Sequence, residues 1–231
     1  MKRVLVVALL ACCTAAVPSC GGMNPMGGGG GGGGGTMPTM SPYMWATDFS
    51  DYKPGAWCKY KSEAGGYGSE TTIKCVGKDG DSLWIEVTAG DNTHLLVVGS
   101  DRTVSKAWFS GKDDKEWKKC DITKYDAPKP TKECPACKKE HKAGSMNWSD
   151  DKKSAGGKDL SCKKCDATGY DCKGNEAKST SWFCKDVPQL MAMGGKQEHG
   201  GLVAMEAAGS KMTLLGCGTD AKPKHDLPKD K

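Results

Sequence analysis

Two pairs of cysteines in this chain have a spacing that does chemistry. Cys134-Pro135-Ala136-Cys137 and Cys162-Lys163-Lys164-Cys165 are CxxC motifs separated by 24 residues. Tandem CxxC motifs mark a zinc site, because four thiolates in a tetrahedral array saturate the ion. A single CxxC works as a redox dithiol when a preceding strand and a following helix lower a thiol pKa. Cys134 and Cys137 sit instead between Pro128-Lys129-Pro130-Thr131-Lys132-Glu133 and Lys138-Lys139-Glu140-His141-Lys142, a loop composition. His141 is either a further zinc donor or a solvated loop side chain. The remaining chemistry is oxidation, since thiols outside the cytosol pair as disulfides.

The compartment decides among these, and Cys20 points to it. A basic start (Lys2, Arg3), an apolar run (Val4 to Ala11) and small residues (Thr14, Ala15, Ala16) precede it, and Gly21-Gly22 follow. That order is an export signal over residues 1–19, and the apolar run is short of the roughly 20 residues that span a bilayer. Val17-Pro18-Ser19-Cys20 is similar to a bacterial lipobox, with Pro18 a departure at −2. Cys12, Cys13 or cleavage without lipid are the alternatives. Gly21 is not the aspartate of inner-membrane retention in enteric bacteria, so the expected address is the outer membrane. Residues 20–44 are a glycine-rich tether, and some twenty such residues reach roughly 25 Å. Thirteen cysteines less Cys12, Cys13 and Cys20 leave ten. These are Cys58, Cys75, Cys120, Cys134, Cys137, Cys162, Cys165, Cys172, Cys184 and Cys217, an even set of disulfide candidates whose pairing the sequence does not give. Each bridge would stabilise by about 2–4 kcal/mol. Zinc at Cys134, Cys137, Cys162 and Cys165 is the alternative.

The elements that position these thiols are strands. Leu83, Ile85 and Val87 alternate with Trp84 and Glu86 over 82–88, the period-2 pattern of a half-buried strand. Segments 56–61, 71–76, 94–98, 103–109, 160–165, 179–184, 202–207 and 211–215 follow the same pattern. Gly and Asp punctuate them, and Lys78-Asp79-Gly80 is a hairpin signal. The expectation is one mainly β domain over 45–218, an antiparallel sandwich or open barrel braced by disulfides. Residues 124–157 form a long Lys/Pro-rich loop anchored by Trp148, and 219–231 form a disordered tail. Seven tryptophans compensate for only three phenylalanines in the core.

Charge excludes one class of partner. The formal charge of +5 falls to +3 once Lys2 and Arg3 are removed, and Arg102 is then the only arginine. Nucleic-acid readers need arginine forks and basic clusters, whereas lysines here alternate with acids, as in Lys112-Asp113-Asp114-Lys115-Glu116. That is a solvated face, and nucleic acid is not an expected partner.

Three stretches carry a family likeness. Pro54-Gly55-Ala56-Trp57, Lys158-Asp159-Leu160-Ser161-Cys162-Lys163-Lys164, and Ser181-Trp182-Phe183-Cys184-Lys185-Asp186-Val187-Pro188 followed by Gly200-Gly201-Leu202-Val203 span most of 52–218. The chain resembles uncharacterised exported and lipoprotein β-domain proteins of myxobacteria and planctomycetes. Gln189 stands where their glycine follows Val-Pro. The resemblance implies an exported β domain and no assigned activity.

Catalytic signatures are missing: there is no GxSxG elbow, no HExxH, no Walker loop and no GxGxxG following a strand. Of the four histidines, His94 near Asp91 reads as a surface residue beside a turn, and Glu198-His199 lies in a glycine-rich loop. Leu190, Met191 and Met193 read as core packing. The resulting reading is a lipid-anchored envelope protein without enzymatic activity or cofactor. It binds the membrane through its anchor and a lipid, polysaccharide or protein ligand on a sheet face. A CxxC redox protein and a zinc-stabilised domain are the alternatives.

Overall fold

Alternating strands bury one face each, and short hairpins keep successive strands adjacent and antiparallel. The computed structural model describes residues 52–101, 103–120, 144–170, 174–190 and 199–228. They form one antiparallel sheet of eleven strands that does not close into a barrel. The strands are β1 (Trp57–Ala64), β2 (Tyr67–Asp79), β3 (Ser82–Ala89), β4 (Asn92–Val98), β5 (Val104–Ser110), β6 (Lys118–Cys120), β7 (Ser145–Ala155), β8 (Lys158–Tyr170), β9 (Glu176–Cys184), β10 (Gly201–Ala207) and β11 (Ser210–Gly218). Their order is β6-β5-β4-β3-β2-β1-β11-β10-β9-β8-β7. Two meanders are therefore zipped together by the first and last strands. Residue Trp57 pairs with Gly218 and Ala64 with Ser210. Gly80, with φ +55°, makes the β2–β3 turn at the expected hairpin.

Two differences from expectation concern β7 and the tail. The span 124–157 contains an 11-residue strand, Ser145–Ala155, rather than loop throughout. It is an edge strand, and Asp150-Asp151-Lys152-Lys153 give it the charged character that keeps an open edge from pairing with other chains. It touches β10 and β11 as well as β8, and Lys153 Nζ lies 3.1 Å from Glu206 Oε1. Residues 219–228, read as disordered from their Lys/Pro/Asp composition, pack as a strap on the sheet. Composition counts buried apolar surface, whereas this segment is held largely by hydrogen bonds.

The main core lies on the face bearing one register row: Cys75, Ile85, Leu96, Ala107 and Cys120 on β2 to β6. Tyr60, Leu202, Phe183 and Leu214 join it. The chain itself covers this inner face. Tyr52 Oη donates to Leu190 O at 2.7 Å, Tyr60 Oη to Leu202 O at 3.1 Å, and Val187 and Leu190 are buried beneath. Full burial raises the Tyr60 phenol well above its usual range. Gly201 N–H ties the Val187-Pro188 turn by donating to Val187 O.

The opposite face is covered too. Leu83 to Val87 are all buried, as are Leu95 to Val98, so β3 and β4 are buried on both faces. The half-buried strand read from alternation is thus a central strand with its own second cover.

Candidate binding groove

A second register row runs along the outer face: Lys74, Glu86, Leu95, Trp108 and Lys119, with Trp84 beside Val97. Trp84, Leu95, Val97 and Trp108 form a separate apolar cluster, with Val76, Trp117 and Leu227 against it. The Trp84 and Trp108 rings stack with centroids 5.3 Å apart. Glu86 is 0% exposed in the middle of this apolar floor. A buried carboxylate needs partners on both oxygens. One comes from the sheet, Lys74 Nζ at 2.5 Å from Oε1, and the other from the strap, Lys224 N–H at 2.7 Å from Oε2.

The strap meets the sheet at five points. Trp57 Nε1 donates to Asp220 Oδ1 at 2.8 Å, and Ala221 N–H to Gly55 O at 2.9 Å. Lys224 Nζ donates to Gly111 O at 2.5 Å and reaches Ser110 O at 3.5 Å. His225 Nε2 and Ser110 Oγ are 2.8 Å apart, and the imidazole stands edge-on to Trp117 at 5.3 Å. Leu227 closes the far end: a Cβ on Gly77 would lie 3.0 Å from Leu227 Cδ1 and 3.4 Å from Trp84 Cδ1. The groove thus offers an indole floor, a carboxylate that accepts from a main-chain N–H, and two carbonyls that accept from an ammonium.

Sequence reasoning placed Trp84 and Glu86 on one face but assigned them no role, and it missed Trp108, Trp117 and the strap. Usable signals existed: a glutamate inside an apolar strand, a tryptophan inside the Lys112–Lys118 charge run, and Leu227 in a polar tail.

The cysteines are distributed over the inner core and the β8–β9 end. Cys58 faces Cys217 across β1 and β11. Cys162 and Cys184 stand one rung beyond the last β8–β9 pair, Lys163 with Phe183. Among the described residues no two cysteines stand at disulfide distance, so the expected bracing is absent among them. Here buried cysteines pack as small apolar side chains. Cys20, Cys134, Cys137 and Cys172 lie outside the described residues, as do His141, Met191 and Met193.

Burial pushes the Cys75 and Cys162 thiols up to about 11 and raises Cys217 as well, the reverse of what a nucleophilic or metal-binding thiolate needs. Cys162 and Cys165 lie three apart on one continuous strand, so their side chains point to opposite faces and do not form a zinc knuckle's turn. Among the described residues no three His, Cys, Asp or Glu side chains converge as a metal site.

The histidines are dispersed. His94 pairs in register with Val87 on the inner side and packs on Phe109, and its Nδ1 is buried without a hydrogen bond among the described residues. His199 packs on Trp148 at 4.5 Å, next to Phe183.

These features define an open-edged antiparallel sheet protein whose two faces are each covered by segments of its own chain. No family model and no curated protein matches it. Among solved structures, a DUF1329 family protein from Desulfovibrio piger matches over 75% of this chain and 86% of that one, at 11% identity and a TM-score of 0.24.

Proposed function

We propose that this is a lipid-anchored envelope protein, exported through residues 1–19, lipidated at Cys20 and held at the outer membrane on the 20–44 tether. Its β domain is a non-enzymatic binding module of the kind suggested by the likeness to exported myxobacterial and planctomycete proteins. The outer groove supports the binding role. A stacked tryptophan pair and a fully buried carboxylate form a recognition surface already holding a polypeptide segment. A buried carboxylate set among packed indoles and aimed at a main-chain N–H is costly for stability alone, and aromatic-rich apolar surfaces of this kind characterise interaction sites.

Fractionation of cells expressing the full chain tests the anchor. Wild type is expected in the membrane fraction and Cys20→Ser in the soluble one; membrane retention of Cys20→Ser overturns the lipoprotein reading. The described cysteines favour neither alternative, because burial raises the Cys162 thiol and the strand holds Cys162 and Cys165 apart.

A further inference from the structure

We propose that the outer groove is a peptide-binding site for a short polypeptide segment carrying lysine, then a ring that hydrogen-bonds, then an aliphatic residue two positions later. Residues Lys224 to Leu227 occupy it in cis. This rests on the binding-module reading and names its ligand class.

The contacts separate into three subsites. The first reads a lysine twice: its main-chain N–H meets Glu86 Oε2 at 2.7 Å, and its ammonium meets Gly111 O at 2.5 Å. The second reads an imidazole between Ser110 Oγ at 2.8 Å and the Trp117 ring. The third is an apolar notch at Gly77 and Trp84, filled by Leu227. The chain holds this segment as coil bent at Lys224 and His225, with no strand added to the sheet.

Two observations argue that the occupant is a ligand rather than a fixed part of the core. Glu86 Oε1 is satisfied by the sheet's own Lys74, whereas Oε2 takes its partner from the strap alone among the described contacts. With the groove empty that oxygen can turn to water, whereas an occupant that covers it without supplying an N–H would bury it unpaired, so the site selects a segment that supplies one. The occupant also sits beyond the last strand, so it can leave without breaking any ladder pairing. A tethered ligand competes at an effective concentration of order millimolar, which masks the groove from weak partners until a stronger one displaces it.

The test uses two chains, the full protein and one shortened to end at Gly218, and a synthetic peptide of residues 219–231. Binding is followed by tryptophan fluorescence. The shortened chain is expected to bind the peptide saturably, and the full chain at least about tenfold more weakly. Glu86→Gln in the shortened chain, and Lys224→Ala in the peptide, each weaken binding by about tenfold. A shortened chain that keeps its β circular dichroism yet does not bind the peptide overturns the proposal.

If the shortened chain does not fold, amide hydrogen exchange in the full chain decides. Excess peptide should accelerate exchange at Lys224, and unchanged exchange at saturating peptide overturns the proposal. Two further arms, phosphatidylglycerol vesicles and soluble peptidoglycan fragments, separate this proposal from the broader one. Binding of either without the peptide overturns the peptide class and leaves a binding module, whereas binding of none removes both. A concentration-dependent dimer of the full chain that the peptide dissolves identifies the tail of a second copy as a ligand of this class.

Discussion

Replacing Glu86 probes the fold and the groove at once. The carboxylate is 0% exposed and accepts two charge-assisted hydrogen bonds, from Lys74 Nζ at 2.5 Å and Lys224 N–H at 2.7 Å. Such bonds contribute about 1.5–3 kcal/mol each, and breaking a buried ion pair from one side costs about 3–5 kcal/mol. Lys74 keeps 25% of its side chain exposed, so its ammonium can turn to water, which sets the expectation for Glu86→Ala near the low end, about 3 kcal/mol. Glu86→Gln keeps the shape and one acceptor and should cost about 1–2 kcal/mol.

Urea unfolding read by tryptophan fluorescence measures both, with an unchanged m-value as the sign that the transition stays two-state. A thermodynamic cycle with the chain ending at Gly218 isolates the strap's share. Glu86→Ala should cost at least about 1 kcal/mol less without the strap, because one of its two bonds is already gone. A cost under about 1 kcal/mol in the full chain, or no coupling to the strap, refutes the pairing of Glu86 with Lys224.

Three other perturbations follow from the structure. Gly55 has φ +99°, and a Cβ there would overlap the Thr219 carbonyl, so Gly55→Ala should cost about 1–3 kcal/mol and speed hydrogen exchange at Ala221, with no change at the Gly80 turn. Burial lowers the His94 pKa from 6.5, so the unfolded chain takes up the proton first and stability is lost as pH falls below 6.5. Unfolding midpoints between pH 7.5 and 5 should drop for wild type and flatten for His94→Phe, and equal slopes would remove His94 as the source. Cys75 and Cys162, with thiols near 11, are about one part in ten thousand thiolate at pH 7 and should resist alkylation until the chain unfolds. Fast labelling of either in the native protein contradicts their burial.

Much of the sheet was legible, and what was not has physical causes. Alternation at Leu83, Ile85 and Val87 located β3, and Asp79-Gly80 located its turn, because period and turn chemistry are local properties. β7 was hidden because an edge strand carries charge on both sides, leaving Met146 and Trp148 as its only large apolar residues. The strap was hidden for the opposite reason. It is held by main-chain donors at Ala221 and Lys224, which leave no trace in side-chain polarity. Ten cysteines in an exported chain read as bridges, yet the seven described, Cys58, Cys75, Cys120, Cys162, Cys165, Cys184 and Cys217, are placed by strand register without one pair at bonding distance.

Gly55 shows how the two covers are joined. Its amide donates to Cys75 O at 2.7 Å, fastening the segment before β1 to the inner row, and its carbonyl accepts from Ala221 at 2.9 Å, fastening the strap after β11. β1 and β11 are paired neighbours, so the segments that cover opposite faces leave the sheet from adjacent strands and meet at one residue. Only a residue tolerant of φ +99° can point both polar groups that way with Thr219 lying against it, which gives the Pro54-Gly55-Ala56-Trp57 stretch a structural reason. Tyr52, where the described chain begins, packs on the inner face, while the groove lies on the outer one. What covers the groove on the outer face is the strap.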